Sequence, residues 1–126
     1  TDISPVTAEL LAKGQAVTVQ EYQAAIEAQT QIKAVMEEFM GRFDALITVC
    51  TNDSAPERDA QEGDDPGLMW TLAHLPVVSV PAFRSPDCLP VGLQLVGGRY
   101  RDYGLLELLW QLRLAGLAPP SSNQVQ

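Results

Sequence analysis

The stretch Leu75-Pro76-Val77-Val78-Ser79-Val80-Pro81, followed after a short gap by Leu89-Pro90-Val91-Gly92-Leu93-Gln94-Leu95-Val96-Gly97, decides the fold. Residues 77–80 and 91–96 are short, rich in β-branched side chains and bounded by proline and glycine, so both read as strands. The connection from Pro81 to Pro90 is too short for a helical crossover, which predicts antiparallel pairing. Gly97-Gly98 then turns the chain. Asp102 caps a last helix, along which Leu105, Leu106, Leu109, Leu112 and Arg113 line up at helical spacing.

Upstream, Ala45-Leu46-Ile47-Thr48-Val49-Cys50 is a third strand. It is nearly all apolar, as expected of a strand buried on both faces, and residues 77–80 read the same way. Strands of that kind need cover on both sides, and three of them are a thin sheet. Before them, Thr18-Val19-Gln20-Glu21 is a capping box. Tyr22, Ile26, Ile32, Val35, Met36, Phe39 and Met40 follow at three- and four-residue steps, predicting a helix to Met40 with its stripe in the core and Gly41 as its stop. Ser4-Pro5 to Lys13-Gly14 predicts a shorter helix, and residues 68–73 another. A long loop spans residues 51–67, punctuated by Pro56, Gly63, Pro66 and Gly67. These pieces predict the α/β class, a mixed β-sheet flanked by helices. Residues 1–118 read as one segment and 119–126 as a flexible polar tail.

The chain has 126 residues, 46% of them hydrophobic, enough for a real core. Lysine and arginine number 8 against 16 aspartate and glutamate, for a formal charge of -8. That balance argues against nucleic acid and against an anionic membrane as partners, since both need clustered cations; its simplest role is solubility. Asp53, Glu57, Asp59, Glu62, Asp64 and Asp65 crowd one stretch with only Arg58 to offset them, and read as a solvated loop. No apolar run reaches the ~18 residues of a membrane helix, and the N-terminus does not resemble a signal peptide. Two cysteines, Cys50 and Cys88, make no disulfide framework, which points to a reducing, cytoplasmic setting. The chain opens on Thr1, and so reads as processed or as a piece of something longer.

A nucleophilic serine needs a base and oxyanion donors nearby. The only histidine, His74, sits in an apolar context, and none of the six serines lies in a glycine-rich elbow. Ser79, within a strand, reads as a buried, hydrogen-bonded hydroxyl. Lys13 and Lys33 stand at a helix end and on a polar helix face. Cys50 packs as a small hydrophobe, while Arg84 is close enough in sequence to approach Cys88. No metal-binding spacing occurs. No complete catalytic set can be assembled from these residues.

The 75–97 stretch, with Asp102 and Leu105-Leu106 after it, resembles the C-terminal signature of the amidase-signature family: roughly G-L-P-A-I-S-V-P, a gap, L-P-V-G-L-Q-L-V-G, then D-x-x-L-L. Gly14, Val17-Thr18 and Glu21-Tyr22 resemble the start of that family's long helix, and Phe43-Asp44-Ala45-Leu46-Ile47-Thr48 its F-D-x-L-L-T strand. Ala55-Pro56, Gly63-Asp64-Asp65-Pro66 and Trp70-Thr71-Leu72 resemble its A-P, G-D-P and W-T-x-L. The resemblance implies a partial piece of an α/β/α fold and hydrolysis of a carboxamide, or transfer of its ammonia, through an acyl-serine intermediate. It implies no metal or organic cofactor. The family's serine, cis-serine and lysine lie in a Gly/Ser-rich block with no counterpart in this sequence, so no catalytic residue is assigned. The implied partners are the N-terminal amidase portion and a small amide substrate; a homo-oligomer is compatible. Asp64, Asp65, Trp70 and His74 are the candidate substrate-binding residues. Two departures fall near them: the family's T-P-T is Thr48-Val49-Cys50-Thr51, and its usual glycine is His74. The competing readings are a non-catalytic binding or assembly module built on the same fold, and a cysteine hydrolase using Cys50 or Cys88.

Overall fold

Alternating apolar side chains make the strands, and caps and prolines set where the helices begin. In the computed structural model, residues 3–51, 55 and 65–117 are described. Asp53, Glu57, Asp59, Glu62 and Asp64 of the acidic stretch, and the tail 119–126, lie outside them. In order, the elements are α1 (Pro5–Ala16), α2 (Val19–Met40), β1 (Leu46–Val49), α3 (Leu68–Leu72), β2 (Val77–Arg84), β3 (Pro90–Val96) and α4 (Asp102–Leu114). The chain divides into two units, Thr1–Ile32 and Lys33–Gln126.

In the first unit, Ser4 caps α1, its Oγ accepting the Thr7 amide at 3.2 Å, with Pro5 in the first turn where its missing N–H costs nothing. The helix runs two residues beyond Gly14, to Ala16. The capping box forms as read: the Thr18 amide donates to Glu21 Oε2 at 2.8 Å, and the Glu21 amide to Thr18 Oγ1 at 3.2 Å. Hydrogen bonding from the Thr18 backbone and hydroxyl favours the ionised carboxylate and holds Glu21 below its ordinary pKa of 4.5. The expectation that the α2 stripe is core needs correction here. Tyr22, Ile26 and Ile32 are exposed, and α1 buries nothing, because no described layer of this unit lies over those faces.

In the second unit the sheet order is β1-β3-β2, with both pairings antiparallel. β2 extends four residues past Val80, and the hairpin closes tightly where the Ser85 amide donates to the Leu89 carbonyl at 2.8 Å. The register shifts between Pro81 and Phe83, a bulge that absorbs a proline with no ladder donor on a strand with one open edge. Met36, Phe39 and Met40 from the last turns of α2 pack with Trp70, Ala73 and Leu75 over Val96 and Leu46. On the opposite sheet face, α4 lays Leu105, Leu109 and Leu112 over Val78, Val80 and Leu95. Met40 and Val96 are the most completely buried large side chains, each worth about 1.5–3 kcal/mol. Helices therefore flank the sheet on both faces, but unevenly. The reading of β1 as doubly buried is corrected: its burial alternates, and Ile47 and Val49 are 67% and 48% exposed. Residues 77–80 alternate as well, with Val77 and Ser79 open. Each helix covers β3 and only one of its neighbours, so each outer strand has one bare face. No helix among the described residues is long and apolar enough to cross a membrane.

Candidate functional site

Side chains on paired residues share a sheet face, so register alone gathers a polar patch. Thr48, Gln94 and Ser79 form one row across β1, β3 and β2. In the next row Cys50 follows β1, its amide donating to the Gly92 carbonyl at 3.1 Å, and Pro81 lies opposite Gly92 on β2. Diagonally across the rows, Cys50 Sγ and Ser79 Oγ are 2.8 Å apart, a hydrogen bond that spans β3. Gly92 makes this approach possible: a Cβ there would stand 2.6 Å from Cys50 Sγ and 3.2 Å from Ser79 Oγ. Cys50 is half-buried, but it serves as a hydrogen-bonding partner more than as a hydrophobe. Ser79 is hydrogen-bonded as expected, yet it is exposed, because no helix covers that face of β2.

Gln94 anchors the patch. It is the one buried polar side chain among the described residues, 9% exposed, and its Oε1 accepts the Trp70 indole N–H at 3.1 Å. Trp70 reaches it from α3, whose start is set by Asp65-Pro66-Gly67. Asp65 Oδ1 accepts the Gly67 amide at 2.7 Å, and the Asp65 carbonyl accepts the Leu68 amide at 3.2 Å. A Cβ on Gly67 would meet Asp65 Oδ1 at 2.9 Å and Gln94 Nε2 at 3.5 Å, so the turn sits against Gln94. Asp65 is exposed, but one carboxylate oxygen already serves its own backbone turn.

His74 closes the other end of α3. Its φ is +56°, its amide donates to the Thr71 carbonyl at 3.1 Å, and the Leu75 amide donates to the Trp70 carbonyl at 3.0 Å. This is a Schellman closure, with a histidine at the left-handed position that glycine fills most easily. The departure from glycine seen in the sequence thus falls on a backbone that calls for glycine. His74 itself is exposed. Of the four candidates, Asp65 and Trp70 converge on Gln94, His74 stands at the far end of α3, and Asp64 lies outside the described residues. Sequence reasoning misses Gln94 as a site residue; its signal is a lone amide in the apolar run Val91-Gly92-Leu93-Gln94-Leu95-Val96. Arg84 does approach Cys88, but Nη1 donates to the Cys88 carbonyl at 2.9 Å.

The family model described as Amidase matches residues 3–106. The chain belongs to the amidase family. Its curated relatives include a glutamyl-tRNA(Gln) amidotransferase subunit from Symbiobacterium thermophilum, 35% identical over 98 residues, covering 71% of this chain and 20% of that protein. The corresponding protein of Haloarcula marismortui is 36% identical over 90 residues, covering 64% of this chain and 21% of that protein. The chain therefore spans about a fifth of the length of these relatives. Among solved structures, an amidase aligns with a TM-score of 0.78 at 23% identity, over 90% of this chain and 29% of its own. A 6-aminohexanoate cyclic dimer hydrolase aligns with a TM-score of 0.75 at 19% identity, over 99% of this chain and 30% of its own. These structural likenesses establish an amidase-type fold for this segment. The expected fold class and family both hold.

Proposed function

We propose that this chain is the C-terminal portion of an amidase that splits carboxamide C–N bonds through an acyl-serine intermediate, and that it is inactive alone. In this reading the serine, cis-serine and lysine belong to the rest of the enzyme, and this portion contributes one wall of the pocket. The observation that carries it is coverage: the family match takes in most of the chain, while the 98 residues aligned with the Symbiobacterium relative are only 20% of that protein. A carboxamide offers both a donor and an acceptor, which suits a wall carrying the Ser79 hydroxyl and Gln94 amide beside Trp70. The two free thiols fit a reducing, cytoplasmic setting.

The test compares this chain alone with a chimera in which residues 3–106 replace the matched stretch of the Symbiobacterium relative, assaying ammonia release from simple carboxamides. The expected result is none from the chain alone and release from the chimera. Ammonia release by the chain alone, abolished by Ser79→Ala or Cys50→Ala, would overturn the proposal.

A further inference from the structure

A second opening lies apart from the polar rows. It is a cleft of about 80 Å³, lined by Glu37, Met40, Gly41, Gly98, Arg99 and Arg101. The last turn of α2 and Gly41 form one wall, and the turn from β3 to α4 forms the other. Met40, 2% exposed, supplies an apolar side to the cleft. Arg99 is half-buried, and its Nε is fully buried with no hydrogen-bond partner. The rest of its guanidinium is held in place: Nη2 donates to Tyr100 Oη at 2.8 Å, and the group lies 4.6 Å from the centre of that ring. Tyr100 adopts φ +60°, a conformation a tyrosine rarely takes, within a turn closed by the Arg101 amide on the Gly98 carbonyl at 3.0 Å. No ion pair involves Arg99, Arg101 or Glu37 among the described residues. Two arginines and a glutamate thus line one small space with no ion-pair partner among the described residues.

We infer that this cleft binds a small amino-carboxylate, a free amino acid being the simplest, with Arg99 and Arg101 on its carboxylate and Glu37 on its ammonium. A planar carboxylate matches the guanidinium fork, and Arg101, exposed beside Arg99, adds a second cation. The C-terminal end of α2 carries the negative pole of the helix dipole, which adds to Glu37 in favouring a cation. The same negative wall disfavours a bare polyanion such as phosphate. A water's share of liquid volume is about 30 Å³, so the space suits only a few heavy atoms.

The experiment is a titration of the ¹⁵N-labelled 126-residue chain with glycine, acetate and inorganic phosphate, following the Arg99 Nε–H and the Gly41 and Gly98 amides. Glycine should shift all three signals saturably, with acetate binding several-fold more weakly and phosphate weakest. Arg99→Met and Arg101→Met should each weaken glycine at least about tenfold while the Trp70 indole signal stays in its folded position. Arg101 is exposed, so its variant tests the site even if Arg99→Met unfolds. No saturable shift with glycine, unchanged binding in Arg101→Met, or phosphate binding more tightly than glycine would each overturn the proposal.

Discussion

Helices α3 and α4 end in the same way on different residues. At α4, Gly116 takes φ +73°, its amide donates to the Arg113 carbonyl, and the Leu117 amide donates to the Leu112 carbonyl at 2.9 Å. At α3 the equivalent residue is His74, and the long bond runs from Leu75 to Trp70. The motif also favours an apolar contact between the residues joined by that long bond. At α3 both of them, Trp70 and Leu75, belong to the core over Val96. At α4, Leu117 is exposed. The end anchored in the core carries the strained residue, and the loosely anchored end carries glycine. Tertiary packing can hold a backbone that its own residue disfavours; an exposed helix end has only local preference to rely on.

The largest expected effect comes from cutting the α3 anchor. Trp70→Ala should cost about 3–5 kcal/mol, because it opens a cavity beside Met40 and removes the donor to buried Gln94. Urea unfolding followed by Trp110 fluorescence measures it, and a loss under about 1 kcal/mol would show that packing does not hold the strained end. Gly92 needs glycine for space and not for φ, so it serves as a contrast. Gly92→Ala should destabilise by about 1–3 kcal/mol through collision with Cys50, and Cys50→Ala should restore part of that in the double variant.

The paired glycine exchange addresses the two ends directly. His74→Gly should raise stability by about 1 kcal/mol, and Gly116→Ala should lower it by a similar amount, read as opposite shifts in urea midpoint. Two shifts of the same sign would break the comparison. The smallest effect belongs to a helix start. Glu21 is held below its ordinary pKa of 4.5 by the backbone and hydroxyl of Thr18. Its contribution is therefore complete above the ordinary value and is lost as pH falls through the lower folded value. Slowed amide exchange at Thr18 should disappear over that acidic range, and Glu21→Gln should flatten the dependence.

Much of this is legible without coordinates because it is local. The Thr18–Glu21 box, the end of α2 at Met40 and the antiparallel pairing of residues 77–80 with 91–96 follow from capping chemistry, periodicity and connection length. The sequence pattern stops β2 four residues short because Pro81 signals an end, whereas a bulge carries the strand through it. The site is half legible. Trp70 stands among the sequence candidates, but its partner Gln94 is 24 residues away and looks like one polar residue in an apolar strand.

The sequence by itself determined the family, the order of elements and the starts of α1 and α2, since these rest on motifs and on hydrogen bonds within a few residues. The expected Asp102 cap of α4 does not form; Arg101 stands at the cap position with no side-chain hydrogen bond. Tertiary structure alone decided which strand faces stay bare, that Cys50 reaches Ser79 across Gly92, and that His74 occupies a left-handed turn. Those features depend on register and on which helix covers which strand. Both are set by contacts between residues far apart in the chain, where no local propensity reports them.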